Sequence, residues 1–480
     1  MVEALDVYLT GRHAGRLTSE HTEVRFDYIE EYRFDRLTPA LSVSIPKSQP
    51  HHDSVAVAHW IDNLLPDNEN VRERWGNDFG LRRVTPFGLL RHMGVDCAGA
   101  VQIVPEGADP SRDGELRPVS VAEIETHLRA LRQDDSAWTF KDSGGRWSLG
   151  GQQGKFALAR NGDGWSEPSG RAPSTHIFKV GIEQFAHGDA AEYVTMRAAW
   201  HLGLPVARTE IARFGEQTAV VVERFDRYTD SAGHVERLHQ EDLCQAFGIS
   251  RARKYQSDGG PNVSDVGTLI ESHVDPRDRN DSREMFGKAL IFNWLAAGTD
   301  AHAKNFALLH LGPRVRMAPL YDLTSAALLV SPSEVQHEGK LAMKLGSEYR
   351  LKAIGQSQII QAAHDLRVAP EWLSSLADDY ARRLPDAIDH AIADGGDAIE
   401  ETTGNLFRDH IAKRLARTAT TVSYLKSITG AEPKPEQAER ASHHSAGTRV
   451  HAVSDQIWVA EHARAGRVVP GHWRKRPGQR

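Results

Sequence analysis

Short runs that alternate apolar and polar residues dominate the first half of the chain, and longer runs with helical spacing dominate the second. Leu5-Asp6-Val7-Tyr8-Leu9 alternates at period two, with a turn beginning at Gly11, which predicts a strand. Ala40 to Ile45 predicts another strand, ended by Pro46. Residues Val55 to Leu65 read as a helix that stops before Pro66, because the residue preceding a proline is pushed out of the helical region. Thr85-Pro86 has the form of a helix start, with Thr85 as N-cap and Pro86 at the first helical position. A strand at Ala100 to Val104 follows. The stretch Pro105 to Pro118 is rich in Gly, Pro, Asp and Ser and reads as a linker.

Beyond it, one helix (Val121 to Arg132) precedes mostly strands. Phe156 to Ala159 and Ile177 to Val180 predict a hairpin with a long loop. A helix at Ala190 to Leu202 stops at Gly203, and strands follow at Val206 to Ala212 and Ala219 to Phe225. From Asp242 onward the spacing is helical, at Arg283 to Ala297, Pro370 to Arg383 and Asn405 to Ile428. The tail after Gly430 reads as flexible, with a basic end from Arg464 to Arg480. The expected organisation is a small α/β unit over 1–110, a strand-rich lobe over 111–227, a helical lobe over 228–430 and a tail over 431–480. The fold class is α+β.

Composition narrows the possibilities. At 480 residues the chain exceeds the usual size of one core. The 26% charged and 40% hydrophobic content excludes collagen, coiled coil and a mostly disordered chain. A net charge of -7 argues against binding nucleic acid over the whole surface. The two cysteines, Cys97 and Cys244, form no disulfide framework, which fits a reducing, cytoplasmic setting. The longest apolar stretch, Ala289 to Ala297, is too short to span a bilayer, so no membrane association is expected.

Five features bear on chemistry. Asp300 and Asn305 are five apart in a loop after an apolar helix. Protein kinases place a catalytic Asp and a metal-binding Asn at this spacing. Alone, the pair fits a capped turn with Asn in a left-handed conformation better, since Asp and Asn are common loop residues. His302 and Lys304 lie between them and either shape the loop or neutralise phosphate charge. Asp322, in Pro319-Leu320-Tyr321-Asp322-Leu323, offers a second carboxylate, or else caps the segment that follows. The third feature is Ser148-Leu149-Gly150-Gly151-Gln152-Gln153-Gly154-Lys155. Its glycines let backbone N–H groups approach phosphates, and Lys155 adds charge. It is not a Walker A loop, since only three residues separate Gly150 from Gly154 and Phe156 follows the lysine. A glycine-rich loop borne on a hairpin, closing over phosphates, fits better; a plain flexible turn is the alternative. Lys179, in His176-Ile177-Phe178-Lys179-Val180, can pair nucleotide phosphates, with Glu192 placed to orient it, or face solvent. Last, Val220 to Arg227 is a buried strand that becomes polar, as a hinge beside adenine does; by itself it is only a strand end. No one of these decides. Their order along the chain is that of a phosphoryl-transfer site.

With those residues in view, the chain resembles the HipA family of serine/threonine kinases, the toxin components of HipBA-type toxin–antitoxin modules. The resemblance rests on Ser148 to Lys155, HIFKV at 176–180, VERFDR at 222–227, LHQEDLCQAFG at 238–248, GTDAHAKNF at 298–306 and YDL at 321–323. ALSVSIP at 40–46, NLLPDN at 63–68 and DCAGAVQI at 96–103 add to it, and together they cover residues 1 to about 430. The resemblance implies a two-lobed kinase-like body with a fused N-terminal subdomain, using ATP and Mg2+. It implies Asp300 as catalytic base, Asn305 and Asp322 as magnesium ligands, Lys179 on the ATP phosphates, and Glu223 and Phe225 at the adenine. Ser148 matches a serine that family members autophosphorylate. One departure stands out: the family often has Glu or Asp before the loop lysine, where this chain has Gly154. The resemblance further implies a HipB-like helix-turn-helix antitoxin, operator DNA contacted only through it, and a protein substrate such as an aminoacyl-tRNA synthetase. Two other readings are a non-catalytic co-repressor and a small-molecule kinase; the full set of catalytic side chains argues against the first.

Overall fold

The computed structural model describes residues 3–20, 23–53, 55–110, 114–140, 146–181 and 187–429, with side chains up to 418, and four short strands between 456 and 475. The first sheet is antiparallel throughout, in the order His51–His52, Glu23–Tyr28, Arg12–Glu20, Glu3–Leu9, Val101–Pro105. Leu5, Val7 and Leu9 are fully buried at every second position, which is the alternation read from the sequence. Helices Val55–Asn63, Glu69–Asp78 and Pro86–Met93 belong to the same unit. Thr85 caps the last of these, its hydroxyl accepting from Gly88 N–H at 3.1 Å.

A second antiparallel sheet runs Thr209–Phe214, Gln217–Glu223, His176–Lys179, Lys155–Asn161, Gly164–Pro168, Leu116–Val119. The helices Val121–Gln133 and Gly188–His201 pack against its Gln217–Glu223 strand. The C-terminal half is mainly helical, built around Arg279–Ala296, Pro370–Gly395 and Glu401–Thr429, with a three-stranded sheet His239–Asp242, Ala307–Leu311, Arg314–Met317. The architecture is α+β. One hydrophobic cluster extends from Leu5 to Val221, so both sheets share a core; a second is built mainly from the helical half. No helix among the described residues is long and apolar enough to cross a membrane.

Several expectations are corrected. Ala40 to Ile45 is not a strand; it holds only an isolated bridge between Ser42 and Ile45. Its polar groups go elsewhere: Ser42 Oγ and Val43 N–H both donate to the buried Glu241 carboxylate. The supposed linker ends in the edge strand Leu116–Val119, where Pro118 is tolerated because an edge need not donate on both sides. The long loop of the predicted hairpin contains the strand Gly164–Pro168. The strand expected from Val206 begins at Thr209; Val206 makes only an isolated bridge to Leu320. The tail holds two short antiparallel pairs, Gln456–Val459 with His472–Lys475 and His462–Arg464 with Arg467–Val469. The other tail positions, Arg476 and Arg480 among them, lie outside the described residues.

A buried ionic cluster ties the first unit to the end of the Gln217–Glu223 strand. Asp96 Oδ1 accepts from Arg227 and Arg237, each at 2.9 Å, and Oδ2 accepts from Ser174 Oγ at 2.6 Å. Arg224 donates to Asp226 and to the Cys97 carbonyl, each at 2.8 Å. Gly99 N–H donates to Asp226 Oδ2 at 2.7 Å. Burial alone would raise the Asp96 pKa, but the guanidinium groups of Arg227, Arg237 and Arg224 outweigh it and hold the carboxyl well below the usual range. Removing that charge leaves buried arginines uncompensated. Asp96→Asn is expected to lower the unfolding free energy by about 3–5 kcal/mol, measured by urea denaturation at neutral pH.

Candidate active site

The glycine loop enters the site from a bridge, not from a hairpin. Ser148 lies parallel to Cys97, and its N–H donates to the Asp96 carbonyl at 3.0 Å. The Ser148 hydroxyl is fully buried and donates to the Leu64 carbonyl at 2.7 Å. Gly151 has φ +101°, a conformation that excludes most side chains, and its carbonyl accepts from Asp67 N–H at 2.8 Å. Gln153 Nε2 donates to the Val180 carbonyl at 2.9 Å and to Glu192 Oε2 at 3.1 Å. Gly154 has a packing reason: a β-carbon there would lie 3.1 Å from Leu131 Cδ1. The helix Val121–Gln133 thus fills the space that a larger residue would take.

Lys155 and Lys179 are directly opposed on neighbouring strands. Lys155 Nζ donates to the Gly150 carbonyl at 2.7 Å and sits 4.9 Å from the Trp138 ring centre. Burial, then the charge of Lys179, lowers its pKa to about 8. Lys179 Nζ bridges two carboxylates, Glu192 Oε1 at 2.7 Å and Asp322 Oδ1 at 2.5 Å. Burial works against its charge, but Asp322 and Glu192 prevail and raise its pKa. The Glu192 partner comes from the helix Gly188–His201, so the ion pair joins that helix to the sheet.

The loop after the helix Arg279–Ala296 carries Asp300, which is exposed, and then the buried His302, Lys304 and Asn305. Burial lowers the His302 pKa, so its imidazole is neutral at pH 7. Asn305 Nδ2 donates to Asp322 Oδ2 at 3.3 Å, while its buried Oδ1 has no hydrogen-bond partner among the described residues. Asp322 adopts φ +58°, a strained conformation for a residue with a side chain, and one that clusters at functional positions. Phe225 packs near Tyr321, ring centres 5.6 Å apart.

These pieces surround one cavity of about 1150 Å³. Gly150, Gly151, Gln152, Gln153, Lys155, Lys179, Glu223, Phe225, Asp300, His302, Lys304 and Asp322 all line it. Ser148 and Asn305 are not among its lining residues. A pocket at the upper end of ligand-site volumes, with clustered lysines and carboxylates, suits a large anionic ligand.

The HipA-like C-terminal domain matches residues 147–388, and the HipA N-terminal domain matches residues 5–104. The chain belongs to the HipA family. A putative kinase of Sinorhizobium fredii, Y4mE, is 32% identical over 86% of this chain and 98% of its own length. The serine/threonine-protein kinase toxin HipA of Shewanella oneidensis is 30% identical over 70% of this chain and 77% of its own. A solved complex of Shewanella oneidensis HipA, HipB and operator DNA aligns with a TM-score of 0.75 at 26% identity, covering 89% of this chain and 100% of the matched one. These HipA relatives are named as kinases, and kinase activity is the function they support.

Within this HipA-family site the structure adds Asn63, Asp67, Asp242 and Tyr255 as partners of residues the sequence had singled out. Lys304 is held by Asn63 Oδ1 at 2.9 Å, the Asn63 carbonyl at 3.2 Å and Asp242 Oδ2 at 3.0 Å. Its contacts are internal, so it braces the loop against the first unit. Asn63, Asp67 and Asp242 belong to motifs that carry the family resemblance, but nothing in their spacing announced this role. Tyr255, whose hydroxyl donates to Asp300 Oδ1, gave no signal at all. Lys304→Met removes the only charge that compensates Asp242 at hydrogen-bond distance among the described residues. The variant is expected to lose about 3 kcal/mol of stability or more, seen as a lower urea midpoint with an unchanged slope.

Proposed function

We propose that this chain is an ATP- and Mg2+-dependent serine/threonine protein kinase that acts as a growth-arrest toxin. The observation that carries the reading is the Lys179 bridge to Glu192 and Asp322, facing the glycine loop on one side and the Asp300–Asn305 loop on the other. Phosphoryl transfer requires positioning and charge stabilisation more than covalent work by the protein. Lys179 and Lys155 hold the phosphates, and the backbone of Gly150, Gly151, Gln152 and Gln153 covers them. Glu223 and Phe225 meet the adenine. Asp300 accepts the proton of the attacking hydroxyl. His302, neutral and beside it, keeps the loop closed without competing charge.

Asn305 and Asp322 suit a magnesium ion. Asn305 Oδ1 is a buried oxygen without a partner among the described residues, and Asp322 supplies a carboxylate close by. Magnesium takes hard oxygen ligands and retains waters, so one amide and one carboxylate suffice. When bound, the ion neutralises charge on the transferring phosphoryl group.

Ser148 is the proposed autophosphorylation site. Its hydroxyl is bonded inside the protein, so transfer requires the loop to leave this position. The phosphate then opposes return, because two added charges do not fit beside the Leu64 carbonyl. A HipB-like antitoxin is the proposed partner, supported by the similarity to a HipA–HipB–DNA complex, with operator DNA reached through the antitoxin. The family resemblance favours a translation-related protein substrate, such as an aminoacyl-tRNA synthetase.

Intact mass after incubation with Mg-ATP tests the reading. Wild type gains one phosphoryl group, mapped to Ser148, and Asp300→Asn gains none while still binding ATP; wild-type turnover by Asp300→Asn would overturn the assignment of the base. The Lys155 pKa near 8 gives a second expectation. The lysine is charged below pH 8 and loses its proton above it, so ATP affinity is full below pH 8 and falls as pH rises, by up to about tenfold per pH unit. Calorimetric titration at pH 7 to 9.5 should show this decline in wild type and not in Lys155→Met.

A further inference from the structure

Asp300 is exposed on a loop, yet a proton acceptor must be held in one orientation to work. The Tyr255 hydroxyl donates to Asp300 Oδ1 at 2.5 Å. The Tyr255 ring meets the His302 ring edge-on, with centres 4.9 Å apart. One residue earlier, the Lys254 carbonyl accepts from Ala303 N–H at 3.1 Å. The segment 254–255 thus touches the Asp300 loop at a side chain, a ring and a backbone group.

That segment is itself anchored. Arg251 donates to Asp62 Oδ2 at 3.1 Å and to the Asp67 carbonyl at 2.8 Å, and it also pairs with Glu69. Lys254 Nζ donates to Asp67 Oδ2 at 3.1 Å. The Tyr255 carbonyl accepts from Asp258 and Gly260 N–H at 3.0 and 2.9 Å. Burial, then the bond to Asp300, raises the tyrosine pKa, so the hydroxyl keeps its proton and remains a donor.

We propose that Tyr255 is the positioning residue for Asp300: its hydroxyl occupies Oδ1 and fixes the carboxylate plane, leaving Oδ2 for the acceptor hydroxyl. The segment Arg251–Tyr255 is a strap that transmits the position of the N-terminal unit, through Asp62 and Asp67, to the base. The proposal rests on the kinase reading above and on Asp300 as its base. Loss of the hydroxyl alone frees rotation of the carboxylate. It leaves the ring packing on His302 and the phosphate-binding lysines in place, so it affects turnover and not nucleotide binding.

The test uses the full chain, unphosphorylated at the start, with Mg-ATP as donor and both the chain itself and myelin basic protein as acceptors. Wild type, Tyr255→Phe, Tyr255→Ala and Asp300→Asn are compared for kcat, KM for ATP, ATP dissociation constant and melting temperature. Tyr255→Phe should lower kcat roughly ten- to a hundredfold, with KM and the ATP dissociation constant within about twofold of wild type and the melting temperature unchanged. Tyr255→Ala, which also loses the ring, should lower kcat at least as far. If Asp300→Asn is inactive and Tyr255→Phe turns over like wild type, the positioning role fails while the base assignment stands. If Tyr255→Phe instead weakens ATP binding or melts earlier in proportion to its lost activity, the residue is merely structural and the proposal is overturned. If Asp300→Asn retains wild-type turnover, or wild type modifies neither acceptor, the underlying reading fails and the proposal goes with it.

Discussion

A single buried carboxylate, Asp96, holds together the parts of this protein that must not move relative to one another. Its two oxygens gather Arg227, Arg237 and Ser174, and its own carbonyl receives the N–H of Ser148. The next residues continue the same work: the Cys97 carbonyl accepts from Arg224, and Gly99 N–H donates to Asp226. Three residues of the N-terminal unit, Asp96, Cys97 and Gly99, thereby join the start of the glycine loop to the strand end that reads as a hinge. Burying this many charges is costly, and the cluster is tolerable only because each charge has partners within hydrogen-bond reach.

The same economy of charge recurs in the cavity. Lysines 179, 254 and 304 are set against Glu192, Asp322, Asp67 and Asp242, and no one element supplies a complete pair. Lys179 is on a strand, Glu192 on a helix and Asp322 in a loop far along the chain. Lys304 belongs to the Asp300 loop but its amide partner, Asn63, ends a helix of the first unit. The N-terminal unit is therefore part of the cavity wall and not an appendage to it. Leu131, which stands against Gly154, makes the same point for packing: the glycine loop is shaped by what lies behind it.

Much of the fold and the site was legible in the residue pattern. The alternation at Leu5 to Leu9, the Thr85-Pro86 cap and the helical spacing of Pro370 to Arg383 each report a local preference, and the structure keeps all three. The glycine loop, Lys179, Glu223, Asp300 and Asp322 could be picked out as candidates because phosphate chemistry restricts which residue types, in which order, can serve it, and the structure brings them to one cavity. Local pattern failed where a partner from elsewhere in the chain decides the outcome. Ala40 to Ile45 has strand composition, but its backbone satisfies itself on Glu241, about two hundred residues away. Pro105 to Pro118 has linker composition, yet its end completes a sheet edge.

What the sequence by itself determined is the family, the α+β class and which residues are candidates for phosphate chemistry. What only the tertiary structure decided is how those residues are held. Lys304 and Tyr255 illustrate the division. Lys304 was open between shaping the loop and meeting phosphate, and its hydrogen bonds run to Asn63 and Asp242; Tyr255 looked like nothing and lies against the candidate base. The physical reason is that a side chain's role follows from the charges and hydrogen-bond partners around it in space, and spacing along the chain reports only those partners that are near in sequence.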